Sequence, residues 1–254
     1  MNYFEVSGFD LAGLLFVVFF LALIVLFAFV DRKSRFGKLR EITAFTKLKH
    51  QIRLAVEAGQ RVHISLGHGG IDGTQASSVF VGLSMLKRIA RTASISDQPP
   101  VATSGEALEA ILSQDTIRNT YQQLGVEDQY QHISGQVSGL TPFSYAAGTI
   151  PVIYDQNVST NLLSGSFGSE VALIIEAADR KGGVTVAGSD NLPAQAVIYS
   201  TMGNPLIGEE LFAGGAYLQA GEMHMASLKA QDVFRWILVF SILVGGILKL
   251  VGIL

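Results

Sequence analysis

The chain has no cysteine among its 254 residues. That absence excludes disulfides, thiolate metal sites and thiol nucleophiles in one step, and it leaves the redox compartment unreported. Lysine and arginine are missing from residues 1–31, where a cleaved leader would carry a positive start. A basic balance is missing too: the formal net charge is −3, which makes nucleic acid an unexpected partner. No lysine follows a glycine loop, so there is no Walker-type phosphate loop. The five histidines (His50, His63, His68, His132, His224) lack metal-ligand spacing with each other or with carboxylates. No metal and no cofactor is indicated.

Two long apolar runs are present. The first spans Leu11 to Val30 without a charge, and the second spans Val233 to Leu254 with Lys249 and an interfacial Arg235. Each is long enough to cross a hydrocarbon core of about 30 Å as a helix. The segment between them is too polar and glycine-rich for further spans. The expected order is a short external N-terminus (1–10), a span (11–30), a basic neck with an amphipathic helix (31–60), a water-facing domain (61–210), a helical return (211–232) and a second span (233–254).

Five basic residues, Arg32, Lys33, Arg35, Lys38 and Arg40, directly follow the first span. The positive-inside rule puts this flank and the central domain in the cytoplasm, with both termini outside. Anionic lipid headgroups are the expected counterpart of these membrane-surface residues. On the second span, Ser241, Gly245 and Gly252 read as one small-residue face, and such faces let helices approach closely. Lys249 sits where its stem can reach the far headgroups.

Between the spans, Glu41 to Ala58 reads as a basic amphipathic helix, with Ile42, Phe45, Leu48, Ile52 and Val56 at three- and four-residue steps. From Arg61 a short β-rich run followed by a helical run recurs five times. The strands are expected near 62–66, 100–103, 132–138, 159–163 and 183–187. The helices are expected near 74–93, 106–124, 141–154, 170–180 and 191–202. Such alternation implies parallel crossovers with helices on both sheet faces, a Rossmann-like α/β domain inserted between the two transmembrane helices.

In an open parallel sheet, ligands bind beyond the carboxyl ends of the strands. Those ends carry Gly67, His68, Gly69, Gly70 and Asp72, then Ser104, then Ser166, then Ser189 and Asp190. Glycine amides, hydroxyls and helix starts together suit a polar or anionic ligand, although turns and caps require the same residues. The run from Gly67 to Asp72 fails the dinucleotide fingerprint, because its last position is Asp. His68 and Asp72 form the best catalytic-looking pair. Ser84 and Lys87 match a Ser-x-x-Lys spelling, but its companion motifs are missing. No catalytic residue is assigned.

The order of span, basic neck, His63-to-Gly73 run, Thr103-to-Leu108 run, α/β domain and second span resembles an uncharacterised family of bacterial two-span membrane proteins, catalogued as a domain of unknown function. The resemblance implies a prokaryotic plasma membrane and no known activity. The leading expectation is an oligomeric membrane scaffold that associates with itself or with other membrane subunits. A tethered ligand-binding or enzymatic domain is the second, and a pore or transporter subunit the third.

Overall fold

A computed structural model describes residues 8–31, 39–73 and 75–252. The chain divides into two compact units, one of the terminal helices and one spanning Arg40–Ala220.

The terminal unit pairs α1 (Gly8–Asp31) with α9 (Glu222–Leu250). Both are long and apolar enough to cross a membrane, with mean hydropathy 3.1 over Leu11–Phe29 and 2.0 over α9. None of the most apolar window in either helix is buried inside the protein, the opposite of a core helix. Phe234 of α9 packs among Phe16, Phe19 and Phe20 of α1, with ring centroids 4.7–5.6 Å apart. The segment 211–232 is not one helix. A single short helix, α8 (Gly214–Tyr217), is followed by a break, and α9 then runs without interruption into the apolar segment. Gln219 at φ +59° and Gly221 at the start of α9 make the break, since a helix cannot run through left-handed backbone.

The second unit is an α/β domain. Its strands are β1 (Arg61–Gly67), β2 (Val101–Ser104), β3 (Gly135–Val137), β4 (Val158–Ser166) and β5 (Val184–Ser189). They form one parallel sheet in the order β3-β2-β1-β4-β5. That order, with helical crossovers, is the Rossmann-like arrangement. The helices are α2 (Thr43–Glu57), α3 (Ala76–Ala93), α4 (Ala107–Leu124), α5 (Pro142–Asp155), α6 (Val171–Arg180) and α7 (Leu192–Thr201).

Side-chain alternation along the strands divides the core. Ile64, Leu66, Leu162 and Val186 pack with α2, α3 and α4. Leu163 and Ala187 face the other way and pack with α5, α6 and α7. Strand residues point to opposite faces in turn, so neighbouring Leu162 and Leu163 serve different layers. Each fully buried Leu or Ile contributes roughly 1.5–3 kcal/mol. The helix starts use local chemistry: at α5, the Thr141 amide donates to Ser144 Oγ at 3.0 Å and Pro142 opens the first turn.

Candidate functional site

The sheet order reverses between β1 and β4, so the carboxyl ends of these strands form the topological switch point. A layer of polar side chains lies beneath it. His63 Nδ1 is 3.0 Å from Asn161 Oδ1, and His63 Nε2 is 2.9 Å from Thr103 Oγ1. The Tyr145 hydroxyl lies 3.1 Å from Thr103 Oγ1, bonds Ser65 Oγ, and accepts from the Gly67 amide at 3.3 Å. All five side chains are buried. Burial pushes the His63 pKa down to about 4, because the charged imidazolium is not hydrated there. Burial likewise raises that of Tyr145. The network replaces apolar packing on this face of β1 and β2 and anchors the loop above.

The β1 loop is threaded between its neighbours. The His68 amide donates to Ser166 O at 3.0 Å, and the Gly105 amide to Gly67 O at 2.6 Å. Gly67 has φ +79°, and a Cβ there would lie 2.0 Å from Ser166 O. Only glycine meets both demands. The same loop is fastened by carboxylates. The Gly70 amide donates to Glu109 Oε1 at 3.0 Å. His68 Nε2 meets Glu170 Oε1 at 2.8 Å, and the Gly168 amide donates to that same oxygen at 2.7 Å.

Glu109 and Glu170 are both buried. Desolvation raises the Glu109 pKa to about 8; the Gly70 hydrogen bond opposes the shift and the nearby Glu106 charge adds to it. Glu109 Oε2 has no hydrogen-bond partner. A Cβ placed on Gly70 would lie 2.9 Å from Glu106 Oε1 and 3.2 Å from Asp72 Oδ1, so three carboxylates gather around this one glycine.

The residues proposed from sequence are therefore partly assembled. Gly67, His68, Gly69, Gly70, Ser104 and Ser166 converge on the switch point. A Cβ on Gly69 would lie 2.5 Å from Ser166 Cβ. Ser104 Oγ donates to Glu106 O at 3.0 Å, which turns the β2 end into α4. Ser189 Oγ accepts from the Phe167 and Asn191 amides at 3.1 and 3.2 Å, and Asp190 Oδ2 accepts from Ser78 Oγ at 2.8 Å. His68 is held by Glu170 and not by Asp72, which is exposed. Glu170 lies 102 positions away in the chain. A carboxylate that fixes one imidazole nitrogen leaves the other to exchange a proton or a hydrogen bond.

Sequence reasoning missed Glu109. Its signal was a Glu three residues past the α4 cap, a capping-box spacing, but the side chain serves the Gly70 amide of another loop. Ser84 Oγ donates to Phe80 O at 2.9 Å within α3, an ordinary helical back-bond. Among the described residues no group of three or more His, Asp and Glu side chains is placed to hold a metal ion.

Outside the rim, Arg40 belongs to the α/β unit and pairs with Glu210 at 2.5 Å. Arg32, Lys33, Arg35 and Lys38 lie outside the described residues. On α9, Ser241 Oγ donates to Ile237 O at 2.8 Å, and a Cβ on Gly245 would meet nothing within 4 Å. Gly252 lies past the last helical turn at φ +76°, so it ends α9 and is not part of a helical face.

A family model described as a domain of unknown function, DUF6754, matches residues 1–254, and the chain belongs to that family. No curated protein and no solved structure matches it.

Proposed function

We propose that this DUF6754 protein is a membrane-anchored subunit that self-associates into an oligomeric scaffold, with its α/β domain as the building block. One observation carries the reading: the sheet ends in an edge strand, β3, that is flanked by exposed apolar side chains. Leu140 is 77% exposed and Phe143 66%, with Ile133 and Val137 also exposed. Edge strands with apolar flanks are templates for association unless charge or a cover blunts them. The opposite edge differs, because Leu206 bridges to Gly188 and covers part of β5. Copies sharing one bilayer and one orientation are related by axes along the membrane normal. Two unlike edges then favour heterologous contacts that close into a ring.

Native mass spectrometry of the full chain in mild detergent tests this. The expected result is a discrete oligomer that Leu140→Lys combined with Phe143→Lys reduces to smaller species. An unchanged mass distribution in the double variant rejects the β3 interface.

The basic run after the first span supports a plasma-membrane protein with the domain in the cytoplasm and both termini outside. Because the chain lacks cysteine, one introduced at Ile95 (84% exposed) reports on a single site. It is expected to resist a membrane-impermeant thiol reagent in intact cells and to react after lysis. Labelling in intact cells inverts the topology.

A second reading rests on the switch point. The buried, unpartnered Glu109 oxygen and the His68–Glu170 pair favour a polar ligand held at the rim. Since the Gly70 and Gly168 amides are taken by internal carboxylates, a neutral or cationic ligand suits it better than an anion. The same mass measurement separates the two readings, because a ligand-binding monomer or small dimer carries extra mass at low copy number.

A further inference from the structure

The α/β unit has a cavity of about 410 Å³ between α2, α3 and the residues just after α8, and it shares no lining residue with the rim. Its lining includes three cations, Lys49, Arg53 and Arg88, and no carboxylate. Among the described residues none of the three makes a salt bridge. Lys49 and Arg53 are one helical turn apart on α2, and like charges at that spacing weaken a helix. Arg88 approaches from α3 and adds to the repulsion. The Lys49 pKa is lowered, by burial first and then by the Arg53 and Arg88 charges, with no acid opposing the shift.

Two details organise the cavity. Arg53 Nε donates to Lys49 O at 3.4 Å, which leaves its terminal nitrogens for another acceptor. Gln219, also in the lining, is at φ +59°, one of only two non-glycine residues with positive φ among those described. Left-handed backbone at a non-glycine residue is costly and tends to occur where a binding surface demands it.

We propose that this cavity binds a phosphate ester, with Arg53 and Arg88 supplying forked donors and Lys49 a point charge. Guanidinium groups match phosphate oxygens two at a time, and three unneutralised cations are stabilised by an anionic phosphate group. The volume falls in the range of small-molecule sites and exceeds what a bare phosphate fills, so the ligand extends beyond its phosphate. A lipid headgroup and a free phosphate ester share this chemistry. Thr92 at the wall adds a hydroxyl, and its own proton goes to Arg88 O at 3.1 Å.

The test uses the full chain in a neutral detergent and two probes, glycerol 3-phosphate and dihexanoyl phosphatidylglycerol, with dihexanoyl phosphatidylcholine as the zwitterionic control. Binding is read by calorimetry and by the thermal midpoint. Saturable binding of glycerol 3-phosphate identifies a free ester. Binding of the phosphatidylglycerol alone identifies a lipid headgroup. In either case Arg88→Gln, and separately the Lys49→Gln/Arg53→Gln pair, is expected to weaken binding at least tenfold. Lys87→Gln, an exposed neighbour on α3, is expected to leave it unchanged. Relief of repulsion is also expected to raise the thermal midpoint of unliganded Lys49→Gln/Arg53→Gln, which loss of a merely structural contact would lower. The site is rejected if neither probe binds the wild-type chain, or if binding survives both sets of substitutions.

Discussion

Gly67→Ala is expected to destabilise the α/β unit by about 2–6 kcal/mol. The positive φ of this residue contributes ~1–3 kcal/mol of strain once a Cβ is present. The clash with Ser166 O, at 2.0 Å, adds a further ~1–3 kcal/mol as β1 and β4 are forced apart. Nothing flexible can yield, because the obstacle is backbone. The register between β1 and β4 already shifts between Ser65 and Gly67, so this position carries the turn out of the sheet. Against a typical stability of about 5–15 kcal/mol, such a loss approaches unfolding. Gly59→Ala separates the two causes: it shares a positive φ of +63°, but its Cβ would meet nothing within 4 Å. Denaturant unfolding of the full chain in detergent, followed by far-ultraviolet circular dichroism, reads both variants. If they differ by less than about 1 kcal/mol, strain accounts for the effect and close strand packing does not.

Stability is expected to peak in mildly acidic solution and to fall on both sides, through two buried groups of opposite sign. For Glu109 the folded pKa is about 8, against an ordinary value of 4.5. The folded state then holds a proton that the unfolded state releases between these values, so stability declines as pH rises from 4.5 to 8. For His63 the folded pKa is about 4, against 6.5. The unfolded state takes up the proton first, so stability declines as pH falls from 6.5 to 4. At about 1.4 kcal/mol per pKa unit, these shifts correspond to roughly 5 kcal/mol for Glu109 and roughly 3–4 kcal/mol for His63 across their windows. Glu109→Gln keeps an acceptor for the Gly70 amide and removes the charge. It is expected to abolish the decline above pH 6.5 and to uncover the full His63 decline from pH 6.5 to 4, which Glu109 offsets between 4.5 and 6.5 in the wild type. An alkaline decline of the same size in this variant would mean that Glu109 does not titrate in the folded domain.

Much of this architecture can be read locally. The apolar runs correspond to α1 and α9 because a membrane-crossing helix needs only length and an absence of charge. The strand–helix alternation is legible because glycine turns, caps and side-chain periodicity act within a few residues. The third strand, expected near 132–138, is confined to Gly135–Val137, after a single turn of helix at His132–Ser134 that shortens it. Fold class and the loops of the rim follow from such signals. The break at Leu218–Gly221 does not, since Gln219 carries no left-handed preference as glycine would.

By itself, the sequence determined the two helices long and apolar enough to cross a membrane, the parallel α/β class and the loops that cluster at one end of the sheet. These properties depend on neighbours along the chain. Only the tertiary structure decided the strand order, the Glu170 partner of His68, the Glu109 clasp on Gly70 and the convergence of Lys49 and Arg53 with Arg88. Each joins segments tens of residues apart. Their meeting is set by crossover connections and layer packing, which no local periodicity encodes.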